Sequence, residues 1–285
     1  MTPLVRARLS MLAAAALFST GGAAVKLAAL TPWQVASFRS GIAALVLCAV
    51  VRPPLRALDG RVWLVGAALA ATMVLFVFST KLTTAANAIF LQSAAPFYIL
   101  LLSPWLLREH VTRRDLGVMA AMALGLVLVF AADQPSLASA PDPARGNAIA
   151  CVAALAWALT VIGLRWLGRD AGSQHAVLIT GNLLVFACVL PMALPVDRFS
   201  PADAAVIAFL GTCQITIPYF FVAVGLQRLT ALEGALFMLI EPILNPIWAW
   251  MIHGERPGWP ALVGGAVIIA ATAWHALKAG TARRD

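Results

Sequence analysis

Apolar runs of about 17–25 residues, the length that crosses a bilayer, recur ten times along the chain. Cutting wherever charges, Pro or turn residues interrupt them predicts helices at 9–29, 32–51, 61–80, 86–107, 115–132, 147–166, 174–195, 203–224, 232–252 and 260–278. The loops left between them are short, and no soluble domain is expected at either end. Composition agrees. Of the 285 residues, 62% are hydrophobic and 11% charged, whereas soluble domains average about 45–50% and about 25%. Such a chain cannot be an ordinary soluble fold, and disorder needs the opposite balance. The expected class is an all-α integral membrane protein.

The few charges orient the helices, because cytoplasmic loops carry the excess of Lys and Arg. With the N-terminus inside, fourteen of the twenty basic residues mark the inner face: Arg6, Arg8, Arg52, Arg56, Arg61, Arg108, Arg113, Arg114, Arg165, Arg169, Arg228, Lys278, Arg283 and Arg284. Lys81, Arg145, Arg198 and Arg256 fall outside, and Lys26 and Arg39 lie within spans. This predicts ten spans in the inner (plasma) membrane with both termini cytoplasmic. Arg6 and Arg8 before an apolar stretch also fit a signal peptide. Its cleavage, however, would leave nine spans and put the basic loops outside. The net charge of +8 needs no nucleic acid, because it suits a protein facing anionic lipid. The four Cys, at 48, 151, 188 and 213, read as small packing residues inside spans. They have no ligand spacing, and no metal site is expected.

The second half of the chain repeats the first. Gln34, Ala36, Gly41 and Cys48 fall on Gln174, Ala176, Gly181 and Cys188 at one offset. Thr84, Ala85, Pro96 and Glu109 fall on Thr230, Ala231, Pro242 and Glu255 at another, and Lys26 falls near Arg165. Residues 1–135 and 147–285 are therefore read as two repeats joined by an extracytoplasmic linker, 136–146, within the polar stretch DQPSLASAPDPARG. Five spans per repeat is an odd number, so the two copies have inverted topology. Transporters of this design place the substrate at the repeat interface near the membrane midplane.

Lys26, Arg39, Thr84 with Ala88, Pro96 through Glu109, Gly117 with Gly125, and the second copy from Pro242 to Glu255 together resemble the EamA family of the drug/metabolite transporter superfamily. The resemblance covers nearly the whole chain. It implies secondary transport of small organic metabolites, often export of amino acids or related compounds, without fixing the substrate. One departure is Ile179, which stands in the second repeat where Arg39 stands in the first.

Depth selects the candidate site residues. Glu241 lies about 13 Å into its span at 1.5 Å per residue, near the middle of the membrane, and a carboxylate there is a functional hypothesis by default. It would take up and release a proton, or else remain neutral on a carbonyl freed by the adjacent Pro242. Asn245 lies one turn on. Arg39, about 10 Å deep, either snorkels outward, holds an anionic group in a cavity, or pairs with Glu241. Lys26 and Arg165 are expected to snorkel. Glu233 suits a helix N-terminus. Glu109 and Glu255 are expected to form interfacial ion pairs, Glu255 with Arg256. The remaining cavity candidates are Gln92, Ser93 and Tyr98 in the fourth span, Thr216 and Tyr219 in the eighth, and Trp157 in the sixth. Trp157 sits away from the interfacial belt where Trp is usual. Pro96 and Pro242 are hinge candidates. Gly117-x-x-x-Ala121-x-x-x-Gly125 reads as close helix packing.

The resemblance implies export of amino acids or related amphipathic metabolites, and these residues suit alternating access around a central cavity. The partners are a small-molecule substrate, the lipid bilayer and a coupled proton, and the chain is a monomer or homodimer. A second reading is proton-coupled efflux of lipophilic cations. A third, a membrane enzyme on lipid-linked substrates, would need paired carboxylates or clustered His, and the four His are scattered. A passive packing subunit would not need a buried Glu241. No cofactor is expected, and without a Gly-rich phosphate loop ATP hydrolysis is not either.

Overall fold

The computed structural model describes residues 2–51, 59–106, 108, 112–131, 137–167, 171–226, 228–229 and 231–281. Among these residues, ten helical stretches are long and apolar enough to cross a membrane. They are span one (Pro3–Leu27), two (Pro32–Val51), three (Gly60–Leu82), four (Ala85–Leu102) and five (Arg113–Ala131). Then come six (Pro143–Leu167), seven (Gly172–Ala193), eight (Pro201–Val222), nine (Leu236–His253) and ten (Trp259–Leu277). The chain is thus an all-α, ten-helix membrane fold.

Some spans start earlier than their apolar runs because capping chemistry extends them. Thr2 Oγ1 accepts the Val5 N–H at 3.4 Å and Pro3 fills the first turn of span one. Asp142 accepts the Arg145 N–H at 3.1 Å ahead of span six, which opens on Pro143. Both are standard uses of Asp, Thr and Pro at helix starts. Span eight opens on a reciprocal capping box between Ser200 and Asp203. Asp203 Oδ1 also accepts the Ala29 N–H at 2.8 Å, which ties the end of span one to the start of span eight.

The packing is symmetric under exchange of the two halves. Span two packs on seven, four on nine and five on ten. Span three packs on six, and span one on eight. Advancing every span by five sends each of these pairs to itself or to another member of the set. Large apolar side chains such as Leu45, Trp105, Val127, Met251 and Trp259 are exposed, as a lipid-facing surface requires. The four Cys are free, and Cys48 and Cys188 lie on that exposed surface rather than in the packed interior.

Spans five and ten touch backbone to backbone. A Cβ on Gly125 would come within 2.8 Å of the Gly264 carbonyl oxygen, and one on Gly264 within 2.6 Å of the Gly125 carbonyl oxygen. Gly117, the other glycine of the small-residue motif, has open space around its Cβ position, so close packing concentrates at Gly125. Gly125→Ala should therefore destabilise the protein by about 1–3 kcal/mol through overpacking, read as a lower melting temperature in detergent. Gly117→Ala should not lower the melting temperature, since its methyl would meet nothing within 4 Å and Ala favours the helix, and an equal loss for both variants would contradict this account.

Candidate functional site

Four spans are irregular, and each irregularity has a local sequence feature beside it, Pro218 in the case of span eight. Pro96 and Pro242 have no N–H to give to the carbonyl four residues back, and their rings crowd it. The helix accordingly breaks at Ser93–Ala94 in span four and at Leu239 in span nine, at equivalent places in the two repeats. The hinge candidates thus each sit in the first turn after a break, and the carbonyls of Gln92 and Met238 lose a helical donor. Span one breaks at Thr20, just before Gly21-Gly22. There the hydroxyls of Ser19 and Thr20 donate to the Ala16 and Leu17 carbonyls, each at 2.6 Å. Span eight carries a π-helical stretch, Leu210–Thr216, in which the Thr216 hydroxyl donates to the Gly211 carbonyl at 2.9 Å.

These irregularities surround one cavity of about 320 Å³. Its walls come from spans one to four and from six, eight and nine, and so from both repeats. Phe18, Leu69, Met73, Phe76, Ile89, Trp157, Ile215, Val222 and Met238 give it apolar and aromatic surface. Arg39, Thr72, Gln92, Ser93, Gln214, Tyr219 and Glu241 give it polar groups. Six of the residues named from the sequence therefore meet here: Arg39, Gln92, Ser93, Trp157, Tyr219 and Glu241.

Arg39 does not snorkel. It is 1% exposed. Its Nη2 donates to the Met73 carbonyl at 3.1 Å and its Nη1 reaches Gln214 Oε1 at 3.4 Å, while Nε has no partner. Its guanidinium carbon lies 6.0 Å from the centre of the Phe76 ring. Among the described residues no carboxylate lies within 4 Å of it, and no cation within 4 Å of Glu241. Glu241 is half-buried at the cavity wall. Tyr219 lines the same cavity, and its ring stands edge-on to Phe18 at 5.2 Å.

The other candidates lie elsewhere. Tyr98 packs with Ala154 and Ala158 of span six. Thr216 is buried and occupied with Gly211. The π-turn, with its i→i+5 bonds, upsets the regular spacing of span eight, so that Gln214 rather than Thr216 faces the cavity. Asn245 is buried without a partner for its amide, and a Cβ on Gly22 would come within 2.7 Å of its Oδ1. It marks where span nine presses on the broken span one. Glu109 and the side chain of Glu233 lie outside the described residues, as do Arg52, Arg56, Arg169, Arg283 and Arg284.

Span nine is fastened to span one along its length. Trp248 Nε1 donates to Ser19 Oγ at 2.9 Å, and His253 Nε2 lies 2.9 Å from the Ala23 carbonyl. Where the two spans end, Lys26 Nζ pairs with Glu255 Oε1 at 2.6 Å, both side chains almost fully buried. Lys26 also donates to the Thr83 carbonyl at 2.7 Å and to the Ser139 carbonyl. Glu255 Oε2 accepts the Ala85 N–H at 2.8 Å, at the start of span four. This replaces two expectations, a snorkelling Lys26 and a Glu255 paired with Arg256. Burial favours the pair because both charges need partners once out of water.

The sequence profile of the EamA-like transporter family matches residues 6–131 and 144–276. An uncharacterized transporter of Archaeoglobus fulgidus is 25% identical over 254 residues, covering 85% of this chain and 86% of the relative. Another from the same organism, also an uncharacterized transporter, is 25% identical over 209 residues, 72% of each chain. A solved chain described only as "Crystal structure of protein" superposes with a TM-score of 0.64, covering 96% of this chain and 98% of its own length. At 20% identity that likeness shows the fold alone.

Proposed function

The chain belongs to the EamA-like transporter family, a multi-pass membrane transporter of small molecules, and from that premise we propose that it exports amino acids or related amphipathic compounds. The two repeats rock about the central cavity so that it opens alternately to each side. Both termini face the cytoplasm in the inner membrane, as the sorting of basic residues favours. Glu241 takes up and releases the coupling proton, since an ionisable group at that depth is costly unless it works.

The observation that carries this reading is the composition of the cavity wall. One base, Arg39, and one acid, Glu241, face the same space without an oppositely charged partner within 4 Å among the described residues, surrounded by aromatic and aliphatic side chains. An amphipathic zwitterion satisfies both charges and covers the apolar wall. Burial of unpaired charge is otherwise expensive. The competing reading, efflux of lipophilic cations, draws support from Glu241 beside Phe18, Trp157 and Tyr219, since aromatic faces attract cations.

Counterflow in proteoliposomes separates the two. Vesicles loaded with unlabelled phenylalanine should accumulate labelled phenylalanine, while vesicles without protein should not. Tetraphenylphosphonium should neither exchange nor compete. Exchange of the cation without exchange of the amino acid would reverse the assignment, and exchange of neither would remove the amino-acid reading.

A further inference from the structure

Arg39 presents an unusual balance of charge. It is a fully buried cation in the interior of a membrane fold, and the described residues offer it one carbonyl, one long contact to an amide oxygen, one sulfur, Met73 Sδ at 3.9 Å, and the Phe76 ring at 6.0 Å. Its Nε–H is unpaired. A guanidinium carries five N–H donors in a rigid planar fork, and this one spends only part of that capacity on the protein. Truly unpaired buried charges are rare because they are so costly. A buried cation with spare donors, lining a cavity, is completed by an anion that comes and goes.

The surrounding backbone is built to hold the fork in place. Span eight meets Arg39 through its π-helical stretch, and such bulges occur frequently at functional sites. Gly211, at the start of that stretch, approaches span two so closely that a Cβ would lie 2.8 Å from the Arg39 carbonyl oxygen. Gln214 stands on the far side of the same stretch, where Gly21, just past the break in span one, makes room for it. A Cβ there would come within 2.7 Å of Gln214 Nε2. Two helix irregularities and two glycines thus converge on one side-chain pair, Arg39 with Gln214. The repeat-equivalent position of Arg39 is Ile179, which is buried, so the pair belongs to one side of the cavity only.

We infer that Arg39, aimed by Gln214 of the π-turn, is the seat of a monoanionic carboxylate on the transported molecule. This rests on the cavity being the substrate site and specifies which group of the substrate is recognised. Planar carboxylates fit a guanidinium fork with two parallel hydrogen bonds. A phosphate monoester fits the fork as well, but it is mostly dianionic at neutral pH. Among the described residues, the only other charged group on the cavity wall is Glu241, which adds negative charge rather than offsetting it. Gln214 acts as a positioning residue through Arg39. Amines that lack a carboxylate leave the buried cation uncompensated and do not bind.

The test uses the full chain in detergent, with melting temperature as readout and four probes that share one ring. Phenylalanine and 3-phenylpropionate should raise the melting temperature, whereas phenethylamine and phenyl phosphate should not. R39Q should weaken 3-phenylpropionate binding at least tenfold. Q214E places a carboxylate beside Arg39, fills the seat from within and should also weaken binding at least tenfold, without lowering the melting temperature of the unliganded protein. If R39Q does not fold, Q214E decides alone. Equal stabilisation by phenethylamine and 3-phenylpropionate, no response to either carboxylate, or undiminished binding in Q214E overturns the inference. Phenylalanine exchange that survives unchanged in both variants sinks it while leaving amino-acid transport standing. Carboxylate binding with no exchange by the wild type does the reverse.

Discussion

Glu255→Gln should destabilise the protein by about 3–5 kcal/mol, the usual result of removing one partner from a buried ion pair. Glutamine is nearly isosteric and keeps an oxygen to accept the Ala85 N–H now bound at 2.8 Å. The substitution therefore removes the charge and little else. What it leaves is Lys26, whose ammonium has Glu255 at 2.6 Å and the Thr83 carbonyl at 2.7 Å, with its side chain 3% exposed. Two carbonyls cannot balance a full charge out of contact with water. At this chain length a loss of that size lowers the melting temperature by about 5–15 °C, measurable on protein in detergent. The double variant Lys26→Met with Glu255→Leu should recover more than half of the loss, because buried pairs are often replaceable by apolar residues of similar volume. A single variant that melts like the wild type would mean that the pair is not buried as described.

The second large effect is on transport. Glu241→Gln should reduce exchange at least tenfold while leaving the melting temperature close to that of the wild type. The side chain is half-buried at the cavity wall and has no cation within 4 Å among the described residues. Its loss therefore strands no partner and opens no hole. Gln fills the same space and hydrogen-bonds, but it can carry neither a proton nor a negative charge. The contrast with Glu255 is informative. Glu241 lies within span nine and faces an open cavity, whereas Glu255 lies just past the end of that span and is locked in an ion pair. One substitution should show in stability and the other in transport.

Much of this could be read from the sequence. Ten spans follow from apolar runs because a bilayer fixes their length. Pro96 and Pro242 mark the two matched breaks because a missing N–H acts locally, wherever the helix packs. Glu241 stood out by depth alone. The residues that sequence could not place depend on contacts between distant spans. Lys26 and Glu255 lie near opposite ends of the chain, and each has a nearer alternative, water for one and Arg256 for the other. Only the packing of span one on span nine removes both alternatives. Regular helical spacing through span eight puts Thr216 and Tyr219 on one face and sets Gln214 only beside it. Leu210–Thr216 contains no proline, but Pro218 follows it and has no N–H for the Gln214 carbonyl four residues back. What sequence does not show is that the same stretch packs tightly on span two at Gly211. Arg39 had two open readings, and burial in the assembled bundle decides against snorkelling.

The most direct test of the account is phenylalanine counterflow by wild-type and E241Q protein in matched proteoliposomes, measured from mildly acidic to mildly alkaline pH. If the cavity between the repeats is the path and Glu241 its proton carrier, wild-type exchange changes with pH, and E241Q exchange is at least tenfold lower and flat. Equal rates for the two proteins at every pH would contradict it.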